Sequence, residues 1–390
     1  MEFIFYLALM IAATKLAGHL SVRIGQPAVL GELIAGILLG PAVLGIIDAD
    51  ASFIHYFSEI GVLLLMFLAG LETDLDQLKR NWRPAFAVAI GGIIVPFFGG
   101  YWSALLFGFE AENALFCGIL FCATSVSISV QVLKEMNRLG SREGTTILGA
   151  AVVDDVLVVI LLAVMMSVLG EGADVSLGWL IGKKAIFFVV VLLVGWLVVP
   201  KLLEWLAKLR VTEAAVSIAV AICLGFAYFA EYMGMAGIIG SFAAGIAISQ
   251  SKLRHDVEKK LEPIAYAVFV PVFFVSIGLN VRFDGLGSQL LFVVVISLVA
   301  VATKLLGGGL GARLTGFDTR SSIAVGSGMI SRGEVALIIA ATGLGAGLLQ
   351  EEYYTSIIIM VIVTTLVTPP VLKAIFSRMP QPSYYREDGH

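Results

Sequence analysis

Charge is what this chain has least of. Lys, Arg, Asp and Glu make up 14% of its 390 residues, against 59% hydrophobic ones, whereas a soluble domain carries about 25% charged residues. The mean hydropathy is +0.98. That shortage excludes an ordinary soluble enzyme or a nucleic-acid-binding domain, and the net charge of −4 adds nothing to the argument. Cysteine is scarce as well. Cys117, Cys122 and Cys223 all fall in apolar runs without metal-ligand spacing, so they read as small buried hydrophobes. No cleavable leader is expected, because Lys15 and His19 interrupt the first apolar run and no small-residue cleavage site follows it. No nucleotide-binding or regulatory domain is expected after the last apolar segment.

What the chain does have is length of apolar run. Thirteen segments are expected to be helical, at about 3–22, 27–47, 54–71, 84–107, 112–133, 144–169, 177–200, 213–230, 234–250, 261–279, 288–312, 321–347 and 353–377. The fold class is therefore all-α: a polytopic membrane protein of about 13 transmembrane helices. The basic residues divide these segments' connections sharply. Nineteen of the 25 Lys and Arg, among them Arg80, Arg138, Lys252, Arg320 and Arg378, fall in alternate loops and the C-terminal tail. The opposite loops hold Arg282 alone and are acidic (Asp48, Asp50, Glu110, Glu171, Asp174, Glu352). Positive charge marks the cytoplasmic side, so the N-terminus is expected outside and the C-terminus in the cytoplasm. Trp82, Trp102, Trp179 and Trp205 fit interfacial anchors.

Four stretches recur at an offset of 208–210 residues: Ala28–Gly40 with Gly237–Ser249, Leu63–Leu75 with Pro271–Phe283, Val95–Gly100 with Thr303–Gly308, and Val152–Val156 with Ile362–Leu366. The offset spans seven helices, an odd number, so the second copy is expected upside down. Residues 1–175 and 211–390 then form two inverted-topology repeats, linked by helix 7 at 176–210. That plan is typical of secondary transporters.

Within this apolar frame a few polar residues stand out. Asp154 and Asp155 lie side by side near the middle of segment 6, where each ionised carboxylate costs about 2.5–3.5 kcal/mol even on the lenient insertion scale. Segment 5 carries Thr124, Ser125, Ser127 and Ser129, a run that disfavours a regular helix. Its repeat partner, segment 12, carries Ser327, Gly328, Ser331, Arg332, Gly333 and Glu334. Two interrupted segments at matching positions predict a pair of broken helices around a binding site for a small hard cation. Lys304, alone in segment 11, is as costly as an aspartate unless paired. Adjacent helix positions point about 100° apart, so Lys304 is expected to hold one aspartate while the other faces the break, free for an ion or a proton. Arg332 and Glu334 either neutralise the half-helix ends or touch the ion path; the first is the reading adopted. Pro369-Pro370 is expected to kink or end the last helix. The repeat counterparts of the aspartates are Thr364 and Thr365, so the charge sits in one half only.

With AAVVDDV, ATSVSIS, the mid-helix Lys304 and SRGEVAL in view, the sequence resembles the bacterial sodium/proton antiporters of the NapA and GerN type, within the monovalent cation:proton antiporter superfamily. The likeness runs from about residue 20 to residue 375. It implies a homodimer in the bacterial cytoplasmic membrane, with a dimerisation domain from helices 1–3 and 8–10 and an ion-carrying core from helices 4–6 and 11–13 that moves like an elevator. It also implies Asp155 as the ion carboxylate, assisted by Thr124 and Ser125, with Asp154 paired to Lys304. The implied cargo is sodium, with potassium or lithium as alternatives, exchanged for protons; no cofactor and no enzyme activity are expected. The competing readings are a potassium/proton antiporter or a gated potassium efflux channel-like protein, and a symporter for an organic anion, which the extra buried negative charge disfavours.

Overall fold

The computed structural model describes residues 2–48, 51–73, 75–168, 177–281 and 286–379. Asp50, Glu171, Asp174, Arg282 and Arg386, which the loop-charge argument used, lie outside them. In chain order the helices are α1 (Glu2–Arg23), α2 (Ala28–Leu39), α3 (Ser52–Glu72), α4 (Leu75–Arg80), α5 (Trp82–Leu106), α6 (Ala111–Cys122), α7 (Val126–Glu135), α8 (Arg142–Val168) and α9 (Leu177–Leu197). They continue as α10 (Val199–Leu206), α11 (Ala214–Tyr232), α12 (Gly237–Ser249), α13 (Arg254–Ile264), α14 (Val270–Leu279), α15 (Leu286–Leu314), α16 (Thr319–Gly328), α17 (Glu334–Gly345) and α18 (Glu351–Phe376).

All described regular structure is helical, and each of the thirteen apolar segments contains helix. Among the described residues, nine spans are long and apolar enough to cross a membrane, one of them the interrupted stretch Ala111–Glu135, and a bent pair adds a tenth. The bent pair is α9 and α10, which meet at 45°. Pro200 in the first turn of α10 explains the bend, because it has no N–H to donate back into α9. Outside those spans, α2, α12 and part of α17 are apolar helices too short for a full crossing. Helix α2 stops at Leu39, eight residues short of the expected 47. Gly40-Pro41 accounts for this, since the residue before a proline is pushed out of the helical region. Pro369 and Pro370 have the opposite outcome, because α18 runs through them to Phe376. Segment 10 contains a π-turn at Ala265–Phe269 between α13 and α14, just after Pro263.

Large apolar side chains face outward: Leu106 is 84% exposed and Leu314 85%. On a soluble protein such a surface would aggregate; on a chain with these spans it is the face that meets lipid.

The chain divides into two compact units. The first comprises Met1–Leu20, Gly31–Leu75 and Val159–Val281. Helix α3 lies at its centre and packs on α12 and α14. Glycines make the close approaches possible. A Cβ on Gly70 would collide with the carbonyl of Phe242, and one on Gly245 with that of Phe67. Gly36 and Gly278 bring α2 against α14 in the same way, with Val275 and Leu33 supplying the carbonyls. Small residues of this kind let membrane helices approach backbone to backbone.

The second unit comprises Ser21–Leu30, Asp76–Val158 and Arg282–His390. Here α5 and α15 lie antiparallel, Ala87 meeting Gly311, Gly91 meeting Gly307 and Gly99 meeting Thr303. Broken-span helix α6 packs on α5 through Gly100 and Gly118, and α16 packs on α15 through Gly308 and Gly326. These approaches come in pairs 208–209 residues apart. Gly118 under the carbonyl of Phe97 corresponds to Gly326 under that of Leu305, and Gly100 against Phe121 to Gly308 against Met329.

The glycine crossings give a direct test. Gly245→Val should lower stability by about 1–3 kcal/mol, the usual cost of overpacking, seen as a lower apparent melting temperature of the purified protein. Gly225→Ala, at a position with nothing within 4 Å of the added methyl, should leave the melting temperature unchanged.

Candidate ion-binding site at two broken helices

Both interrupted segments are broken where the hydroxyl and glycine runs place the breaks. Ala123, Thr124 and Ser125 separate α6 from α7, and Met329 to Gly333 separate α16 from α17. All of these residues belong to the second unit. Each break exposes helix-end carbonyls and amides that have no partner within the helix, and no water is available at membrane depth to take their place.

The two breaks supply each other's hydrogen bonds. The Ser125 amide donates to the Ser331 carbonyl at 2.7 Å, and the Ser331 hydroxyl donates back to the Ser125 carbonyl. Ser129, one turn into α7, donates to the last carbonyl of α16, Gly328, at 2.6 Å. Arg332 does the same for α6. Its guanidinium is fully buried and donates to the carbonyls of Phe121 (2.8 Å), Ala300 (3.2 Å) and Ile330 (3.3 Å). Positive charge at the C-terminal end of a helix also opposes its dipole. The Arg332 backbone is gripped in turn: its amide donates to Thr364 Oγ1 at 3.3 Å, and Thr365 Oγ1 donates to its carbonyl at 2.7 Å.

The aspartates come from α8. Asp154 and Lys304 have no solvent exposure, and Lys304 Nζ lies 3.3 Å from Asp154 Oδ2 and 3.5 Å from Oδ1. Thr124 sits between them: it accepts a hydrogen bond from Lys304 Nζ and donates to Asp154 Oδ2 at 2.6 Å. The ammonium, the hydroxyl and the carboxylate thus form a closed triangle at the break in segment 5. Asp155, 8% exposed, follows Asp154 on the next helix position and has polar partners of its own.

Asp154, Lys304 and Thr124 are therefore brought into one cluster. Thr124, which the resemblance assigned to Asp155, has its hydroxyl on Asp154. Ser125 joins the crossing through its backbone. Arg332 lies at the half-helix ends, and its described partners are carbonyls rather than carboxylates. Glu334 begins α17, and its side chain lies outside what the structure describes. Sequence reasoning gave no role to Thr364 and Thr365 beyond naming them as counterparts of the aspartates. That alignment was the available signal: Thr364 meets Arg332 in one half as Asp154 meets Thr124 in the other, at offsets of 210 and 208 residues.

The site is thus an ion pair buried beside a second carboxylate where two helices unwind, in a chain with the spans of a membrane protein. The family model described as sodium/hydrogen exchanger, transmembrane, matches residues 7–378, and the chain belongs to that family. It is 59% identical over 375 residues to the Na(+)/H(+)-K(+) antiporter GerN of Bacillus cereus, covering 96% of both chains. It is 46% identical over 376 residues to a Na(+)/H(+) antiporter of Enterococcus hirae, covering 96% of this chain and 98% of the other. Among solved structures, the sodium proton antiporter MjNhaP1 of Methanocaldococcus jannaschii superposes with a TM-score of 0.71 over 96% of this chain and 95% of that one. At 16% identity that likeness speaks for the fold alone. The chain is accordingly a multi-pass membrane protein of a bacterial antiporter family.

Removing the Arg332 donors should be costly. Arg332→Met removes the side-chain donors to the Phe121 and Ile330 carbonyls at the breaks, at about 1–3 kcal/mol for each that stays unsatisfied. A markedly lower apparent melting temperature, with faster amide exchange at residues 329–333, is the expected result. Arg332→Lys keeps the charge but not the fork and should fall between.

Proposed function

We propose that the protein is a secondary active antiporter that exchanges protons for a monovalent cation, sodium first, by elevator-type alternating access. The observation that carries this reading is the fully buried Asp154–Lys304 pair beside Asp155 at the crossing of two broken helices. A static charge cluster needs no broken helices, and a hydrophobic core is the more stable solution where no charge has to be handled.

Cation and protons compete for the same carboxylates. Asp155 holds the cation or a proton, and the unloaded site does not cross the apolar barrier, because bare charge there is expensive. Thr124 bridges Asp154 and Lys304, so a cation that takes up the Thr124 oxygen competes with Lys304 for it. When the cation engages Asp154 as well as Asp155, Lys304 loses its partner and gives up its own proton. One proton from Asp155 and one from Lys304 then leave for each monovalent cation bound, and the cycle is electrogenic.

The first compact unit corresponds to the fixed dimerisation domain and the second to the moving core, and the paired glycine contacts support two inverted repeats within about thirteen crossings. The protein works as a homodimer in the cytoplasmic membrane, with the C-terminus inside; the loop charges support that orientation. Potassium is the second candidate cargo, because the relative at 59% identity carries potassium in its name.

The test is flux in proteoliposomes. An imposed pH gradient should drive sodium uptake against its own gradient, and Asp155→Asn should reduce that uptake to the protein-free background. Uptake that persists in Asp155→Asn removes the assignment of the ion carboxylate. Lys304→Gln should change or abolish the response to membrane voltage. Cation movement that is only downhill and carries no protons would place the protein among channels instead.

A further inference from the structure

A cavity of about 480 Å³ opens between the start of α16 and the end of α18, away from the two breaks. It is lined by Ile323, Ala374, Ile375 and Met379, and by two arginines, Arg320 and Arg378. Its walls are pinned from the loop before α8 and from the first turn of that helix. Arg138 donates to the carbonyls of Met379 at 2.7 Å and Phe376 at 3.4 Å, fixing the end of α18. Ser321 donates to Glu143 at 2.7 Å, and Asp318 caps α16 by accepting from the Arg320 and Ser321 amides. The hydrogen bonds from Ser321 and then Arg320 hold the Asp318 carboxyl below the usual carboxylate range. The Arg142 guanidinium lies 3.9 Å over the Phe317 ring.

These contacts occupy the neighbouring charges but leave the two lining arginines over. Among the described residues, neither the Arg320 nor the Arg378 guanidinium makes a hydrogen bond or an ion pair. Two unengaged guanidiniums beside a pinned apolar lining suit a ligand with an anionic head and an aliphatic body. Guanidinium forks match phosphate oxygens bidentately. Among the described residues, the cavity lining offers no aromatic face for a base or sugar and no carboxylate for a cation. Basic pockets at the ends of membrane helices are where anionic lipid headgroups bind.

We propose that this cavity is a binding site for the phosphate headgroup and upper acyl segment of an anionic phospholipid. The ligand's phosphate bridges Arg320 and Arg378, and its chain lies along Ile323 and Ile375. The site stands apart from the Asp154–Lys304 cluster and does not depend on which cation is carried. Its walls nevertheless bear on the start of α8, the helix that presents both aspartates.

The experiment is lipid binding to the purified full chain, by native mass spectrometry and by thermal stabilisation in detergent. Phosphatidylglycerol should be retained and should raise the melting temperature, whereas phosphatidylcholine should not. The double variant Arg320→Gln, Arg378→Gln should bind phosphatidylglycerol about tenfold to thirtyfold more weakly, since each basic side chain near an anionic lipid contributes about a fivefold factor. Ile323→Glu is a second, independent variant: a carboxylate in the lining should abolish retention while both arginines remain. Equal binding of the two lipids, or unchanged binding in either variant, overturns the proposal. Inorganic phosphate at millimolar concentration should not stabilise the protein; stabilisation by phosphate alone, lost in the double variant, would assign the site to a soluble anion and overturn the lipid.

Discussion

A helix that unwinds inside a bilayer strands its carbonyls and amides where water does not reach, and this constraint governs the second unit. Two such breaks exist here, and each is completed by the other. Ser125 and Ser331 exchange hydrogen bonds, Ser129 closes the end of α16, and Arg332 closes the end of α6. Once the backbone has been satisfied this way, the crossing can be held rigidly, and the polar side chains around it have fixed places. The Lys304–Thr124–Asp154 triangle depends on that rigidity, since Thr124 belongs to the break itself. The glycines of α5 and α15 serve the same end. They let α15, which carries Lys304, come close enough for its ammonium to reach a carboxylate on α8.

Much of this was legible in the sequence. The apolar runs located the helices, because a bilayer demands continuous apolar length. The hydroxyl run at 124–129 and the glycine–serine run at 326–333 located both breaks, because those residues compete for backbone hydrogen bonds or leave the helix at little cost. The pairing of Lys304 with an aspartate followed from the expense of leaving either alone. Other features were not legible, for identifiable reasons. The early stop of α2 turned on Gly40-Pro41, which hydropathy ignores. That α18 runs on through Pro369-Pro370 to Phe376 was open as well, because a proline pair in a membrane helix either bends it or ends it and the sequence does not choose. The attachment of Thr124 to Asp154 rather than Asp155 depends on side-chain direction, which the order of residues along a helix constrains only to within a turn. The grip of Thr364 and Thr365 on the Arg332 backbone is a long-range contact, foreshadowed only by their alignment with the aspartates.

The two units differ in what their close contacts do. In the first, glycine crossings join α3 to α12 and α2 to α14 among aliphatic and aromatic side chains. In the second, the same kind of contact surrounds charged and hydroxyl groups. The family relationship and the buried cluster point the same way: packing supplies the frame, and a small number of polar atoms supplies the chemistry.

Arg332 is a fixed, fully buried positive charge within the crossing. Three carbonyl oxygens from three different elements converge on its guanidinium, much as ligands converge on a bound metal. It is in effect a cation tied to the chain, resident in one crossing and unable to leave. Oxygens that would otherwise attract a hydrated ion from solution are already coordinated. The protein thus keeps a permanent positive occupant at the half-helix ends, one that its own chain supplies and no gradient can remove.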